Sequence, residues 1–173
     1  MYVNILYAFR GYHTVYMMNL NMIIDLPTEH ATQKMAERIA ACLVSPLVLI
    51  FRGEIGAGKT TLIRAMLRCL GVSSSIKSPT FSLVESYQSE HFQLHHFDLY
   101  RIHDETELDY IGFRDYFRDN AICCIEWPER AGRYLMCADI GFTLGLKGAG
   151  REMTIEAFTP AGAAVLSCLA GDK

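Results

Sequence analysis

The chain has 173 residues, 51% of them hydrophobic and 20% charged, which suits one globular domain and excludes a disordered or low-complexity chain. Sixteen basic and nineteen acidic side chains leave a formal charge of −3, too near neutral for a stand-alone nucleic-acid binder with its concentrated basic excess. No run of about 18 apolar residues is present to cross a membrane, and six cysteines without a C-x-x-C pair fit neither a zinc ribbon nor a disulfide framework. Buried, reduced thiols in a cytoplasmic protein are the expectation.

Residues 1–21 read as a leader. They are apolar and aromatic, but they lack a basic start and are interrupted by Arg10 and His13, unlike a signal peptide. Translation is expected to begin at Met17, Met18 or Met22, and residues 22–173 to form a single domain. Met22 to Leu26 predicts a strand closed by Pro27. Thr28 then caps a helix to about Val44, with Met35, Ile39, Ala40 and Leu43 on one face. Leu47 to Phe51 is apolar on both faces, as a central parallel strand should be. A glycine-rich turn leads into a helix from Lys59 to about Leu70, stopped by Gly71.

Phe81 to Tyr87 and Phe92 to Tyr100 predict two strands joined as a hairpin, so the sheet is mixed. Asp104 is expected to cap a helix through Ile111, and a second short helix to cover Arg114 to Phe117. Ile122 to Ile125 is another fully apolar strand, running into Glu126-Trp127-Pro128. Strands near 139–146 and 152–158 and a helix from Pro160 to Leu169 complete the chain.

Gly53-Glu54-Ile55-Gly56-Ala57-Gly58-Lys59-Thr60 matches G-x-x-x-x-G-K-[ST], the P-loop pattern. Its glycines let successive backbone N–H groups converge on phosphate oxygens, and the following helix adds its unpaired N-terminal donors. Lys59 is expected on the β- and γ-phosphates, Thr60 on Mg²⁺, Thr61 at the α-phosphate, and Glu54, Gly56, Ala57 and Gly58 around them. The fold class that follows is α/β, a P-loop NTPase-like three-layer fold with a mixed, partly antiparallel central sheet. No N-K-x-D string is present, so ATP is expected rather than GTP.

Such a loop needs an acidic partner for its metal at the end of a neighbouring apolar strand. Glu126 fits, against the alternative of a surface glutamate behind an edge strand. Period-2 alternation places His96, Asp98 and Tyr100 on one face and His95, Phe97 and Leu99 on the other. Asp98 orients a metal-bound water or polarises the γ-phosphate site, or else forms a structural ion pair with Arg101 or another arginine.

The loop, followed in order by Lys77-Ser78-Pro79-Thr80-Phe81, His96-Phe97-Asp98-Leu99-Tyr100-Arg101, Gly112 to Phe117 and Ile125-Glu126-Trp127-Pro128, closely resembles the TsaE family. These are bacterial ATPases required for threonylcarbamoyladenosine formation on tRNA, and the resemblance runs from Met22 to Leu169. It implies ATP/ADP and Mg²⁺ as cofactors, TsaB and TsaD as partners, and tRNA reached only through their complex. It also implies slow ATP hydrolysis that allows repeated turnover. By position, Lys59, Asp98, Glu126 and Thr80 would be catalytic, with Thr60 and Glu126 on the metal and Thr80 sensing the γ-phosphate. Trp127 would lie beside the nucleotide and Arg151 near adenine or ribose. The plainer alternatives are a turn residue for Thr80 and a core aromatic for Trp127.

Arg114 and Arg118, four apart on the expected helix, offer either a basic patch to a partner or a solvated face. Two other functions share the loop. A small-molecule kinase would use Arg130 and Arg133 in a lid, and a non-catalytic assembly switch would use ATP occupancy alone.

Overall fold

The computed structural model describes residues 2–4, 21–135 and 138–171. Of residues 1–21, only 2–4 and 21 fall in that range; the rest of the leader lies outside it, as does Cys137. The apolar runs become strands and the 3.6-period runs become helices. In chain order these are β1 Tyr2–Asn4, β2 Asn21–Leu26, α1 Glu29–Cys42, β3 Leu47–Arg52, α2 Lys59–Cys69, β4 Val84–Gln88 and β5 Gln93–Asp98. Then come α3 Glu107–Tyr110, a 3₁₀ turn Phe113–Tyr116, β6 Ala121–Glu126, a 3₁₀ segment Pro128–Tyr134, β7 Ile140–Lys147, β8 Gly150–Ala157 and α4 Pro160–Ala170.

The strands form one mixed sheet in the order β1-β2-β8-β7-β3-β6-β5-β4. The middle, β7-β3-β6-β5, is parallel. The flanks, β2-β8-β7 and β5-β4, are antiparallel. Every residue of β6 is buried, as expected for a strand covered on both faces. This is the mixed three-layer α/β arrangement expected from the sequence.

One face is covered by α1, α2 and α4. Leu49 and Phe51 of β3, Ile122 and Cys124 of β6 and Phe142 of β7 meet Met35, Ile39, Leu62, Ile63, Met66 and Leu166 there. The Thr28 hydroxyl caps α1 by accepting from the Ala31 N–H at 3.1 Å. At α4, Thr159 plays the same part for Gly162, with Pro160 in the first turn. A Cβ on Gly162 would lie 1.8 Å from the Asp139 carbonyl oxygen, so only glycine lets α4 approach β7 this closely.

The other face is covered by short, irregular segments rich in aromatic rings. Phe97 packs edge-on against Phe113 and Tyr116, with ring centroids 5.0 and 5.2 Å away. Leu99, Leu108, Cys123, Ile125, Ala131 and Tyr134 complete that cluster.

Several expectations need correction. Residues 81–83 are a turn rather than strand: Leu83 takes a left-handed φ of +64° and its N–H donates to the Pro79 carbonyl at 2.7 Å. The second strand stops at Asp98, where the Tyr100 N–H donates to Asp98 Oδ1. Asp104 does not cap a helix through Ile111. It accepts from the Thr106 N–H and hydroxyl in a local turn, and α3 is a single turn behind it.

The Arg114 helix is a 3₁₀ turn ending at Tyr116, so Arg114 and Arg118 do not share a helical face. Arg114 lies over the Tyr134 ring, and Arg118 Nε donates to the Asp115 carbonyl at 2.7 Å.

The thiols are not all reduced. Cys42 and Cys168 form a disulfide across 126 residues, pinning the ends of α1 and α4 together, and Arg38 Nη2 reinforces them by donating to the Leu169 carbonyl at 2.8 Å. Spacing rules see neighbouring cysteines, not two helix ends that converge in space. Cys123 and Cys124 are free and buried, and Cys69 is free and exposed. Burial pushes the Cys123 thiol up to about 12. Among the described residues no helix is long and apolar enough to cross a membrane.

Candidate functional site

The carboxyl ends of β3, β6 and β5 converge on one spot, the usual place for a ligand crevice in an open α/β sheet. The glycine-rich loop leaves β3 there and enters α2. Gly53, Gly56 and Gly58 all take positive φ, and a Cβ on Gly53 would lie 2.3 Å from the Leu144 carbonyl oxygen. Both the turn and the contact with β7 therefore demand glycine.

Lys59 opens α2 and turns back over the loop. Its Nζ donates to the Gly53 carbonyl at 2.7 Å and the Glu54 carbonyl at 3.0 Å, and it lies 4.1 Å from the Trp127 ring centre. Burial lowers the pKa of this ammonium, while the Glu126, Asp98 and Glu129 carboxylates act in the opposite direction.

Thr60, next along α2, donates its hydroxyl to Glu126 Oε1 at 2.7 Å. Glu126 ends β6 and is buried, so it is not a surface residue behind an edge strand. Parallel register sets Asp98 of β5 beside it. Asp98 Oδ2 accepts from the Thr80 hydroxyl at 3.0 Å, and Thr80 also meets the Ser78 hydroxyl at 2.9 Å. The alternative pairing of Asp98 with Arg101 is not formed. Arg101 lies over the exposed Phe81 ring instead, 4.2 Å from its centre.

Lys59, Thr60, Thr80, Asp98, Glu126 and Trp127 thus form one cluster, although they come from four separate stretches of chain. Trp127 has a left-handed φ of +57° that turns its ring toward Lys59 and within 5.0 Å of the Tyr100 ring.

A cavity of about 320 Å³ opens on the other side of the loop. Ala57, Gly58, Thr61 and Arg151 line it together with Thr28 and Thr32 of the α1 start. Arg151 Nε donates to the Ala57 carbonyl at 2.9 Å, holding β8 to the loop. Glu54 and Gly56 lie at the exposed tip.

Thr28 and Thr32 carry no sequence signal beyond capping, because what makes them pocket walls is the return of β8 beside β2. His96 is the other residue missed. Alternation puts it on the face of Asp98 but says nothing of Glu126, 30 residues away, whose Oε1 its Nε2 meets at 2.9 Å. Arg133, one of the two lid candidates, is tied to Glu105 at 3.1 Å.

The family described as Threonylcarbamoyl adenosine biosynthesis protein TsaE matches residues 26–153. The chain belongs to the TsaE family. Among relatives, the tRNA threonylcarbamoyladenosine biosynthesis protein TsaE of Haemophilus influenzae is 36% identical over 147 residues, covering 82% of this chain and 93% of that protein. Its namesake in Aquifex aeolicus is 39% identical over 115 residues, 65% of this chain and 81% of that one. The crystal structure of Bacillus subtilis YdiB superposes with a TM-score of 0.72 at 22% identity, covering 89% of this chain and 97% of that one. That likeness shows the fold. Family membership places the protein in tRNA threonylcarbamoyladenosine biosynthesis.

Proposed function

We propose that this TsaE-family protein is a Mg²⁺-dependent ATPase of the cytoplasm. It would act with TsaB and TsaD in threonylcarbamoylation of adenosine 37, meeting tRNA only through their complex. The observation that carries this is the contact of Thr60 with Glu126 at 2.7 Å, directly beside Lys59 at the head of a glycine-rich loop.

The donor set fits a hard cation. Among the described residues no group of three or more His, Cys, Asp or Glu side chains makes a metal cage. Mg²⁺ does not need one, since one or two protein oxygens plus phosphates and waters suffice. Thr60 and Glu126 would hold it. Held there, the ion would supply charge neutralisation for the phosphate groups.

In this reading the loop N–H groups and the α2 N-terminus bind the phosphates. Lys59 leaves the Gly53 and Glu54 carbonyls for the β- and γ-oxygens. Thr80 exchanges Asp98 for the γ-phosphate, which frees Asp98 to orient a water. The water oxygen forms a bond to the γ-phosphorus as the bond to the β,γ-bridging oxygen breaks, giving ADP and phosphate. Trp127 borders the nucleotide. Thr61 meets the α-phosphate, and Arg151 with the cavity beside it seats the ribose and base.

Phosphate release from ATP, measured alone and with TsaB–TsaD, tests the proposal. A slow basal rate should rise on addition of the complex, and Lys59→Ala should lower it about 100-fold or more. Nucleotide binding without stimulated release would favour an assembly switch, and phosphate appearing on an added hydroxyl acceptor would favour a kinase.

A further inference from the structure

We infer that His96 is a positioning residue that fixes the Glu126 carboxylate for its cation, which rests on the Mg²⁺ site proposed above. A carboxylate serving a cation offers only acceptors, so the donor in the 2.9 Å contact is the His96 Nε2–H. The same oxygen, Oε1, takes the Thr60 hydroxyl at 2.7 Å. Two donors on one oxygen fix the side-chain rotation, and no donor among the described residues meets Oε2, which stays available to a metal. Strand register makes the contact possible: His96 pairs with Cys124 and Asp98 with Glu126, so the imidazole lies one alternation behind the carboxylate on the same face.

Burial separates positioning from packing. His96 is 0% exposed, and its Nδ1 is buried without a hydrogen-bond partner among the described residues. A buried unsatisfied nitrogen costs stability, and leucine would fill the same space without that cost. Among the described residues, the one side-chain hydrogen bond His96 makes is to Glu126, and full burial keeps it from touching nucleotide or metal itself. Outer-shell partners of this kind orient ligating carboxylates, and losing one typically lowers metal affinity about 10–100-fold.

The test is binding of a fluorescent ADP analogue to the full chain as a function of Mg²⁺, which requires no hydrolysis. His96→Leu should raise the half-saturating Mg²⁺ about 10–100-fold and leave analogue binding in EDTA unchanged. His96→Gln, whose amide reaches the Nε2 position, should restore most of the affinity. His96→Asn falls short and should resemble the leucine variant. Should the leucine variant not fold, the Gln and Asn pair decides: an Asn defect with Gln near wild type supports positioning, and equal behaviour of the two overturns it.

Glu126→Ala separates the two claims. A shifted Mg²⁺ requirement there with none in His96→Leu overturns only the role of His96. No shift in Glu126→Ala overturns the metal site and this inference with it.

Discussion

The two faces of the sheet are built by different means. One lies under α1, α2 and α4, with aliphatic side chains at helical spacing and a disulfide joining α1 to α4. The other lies under a single-turn helix and two 3₁₀ segments, held by Phe97, Phe113, Tyr116 and Phe117 in edge and stacked contacts. The carboxylates of the site belong to the first face, and Trp127 bridges from the aromatic one. Leu94, His96 and Asp98 point to it along β5, and Cys124 and Glu126 do so along β6, whereas Phe97 and Ile125 point the other way. The glycine-rich loop runs into α2 on the first face, so the phosphate-facing carboxylates gather there, and the opposite face is mainly aromatic packing.

Phe97 and Asp98, consecutive in β5, therefore offer the sharpest contrast. Phe97→Ala empties the centre of the aromatic face and should cost about 3–5 kcal/mol in urea unfolding, with little change in nucleotide affinity of the folded protein. The helical face should instead respond to reductant. Opening the Cys42–Cys168 bridge should lower unfolding free energy by about 2–4 kcal/mol, and a Cys42→Ser variant should show no further loss on reduction. An equal response of that variant to reductant would break the contrast.

Asp98→Asn keeps the shape of the strand end and should move the urea midpoint far less than Phe97→Ala. Phosphate release should nonetheless fall about 100-fold. The smallest effect belongs to the edge of the helical face: Thr28→Ala removes the α1 cap and should cost about 1 kcal/mol, read by thermal unfolding.

Legibility follows the same division. The helices of the first face announce themselves through caps and apolar periodicity, and α2 through Gly58 and Lys59. The aromatic face is less legible, because 3₁₀ turns have no 3.6-residue repeat to detect and local side-chain bonds such as Asp104 to Thr106 replace a helix. Leu83 shows the same limit: a leucine in left-handed backbone looks like one more strand residue.

What the sequence determined by itself is local. The loop from Gly53 to Thr60, the apolar strand ending in Glu126, and the alternation that sets Asp98 apart from Phe97 are each encoded within a few residues. Steric and hydrogen-bonding preferences at that scale need no distant partner. The tertiary structure alone decided the pairings at long range. His96 reaches Glu126, Arg151 reaches Ala57 across 94 residues, and Cys42 reaches Cys168 across 126. Each depends on strand order and on which helix ends converge, and those arise only when the whole sheet closes over its core.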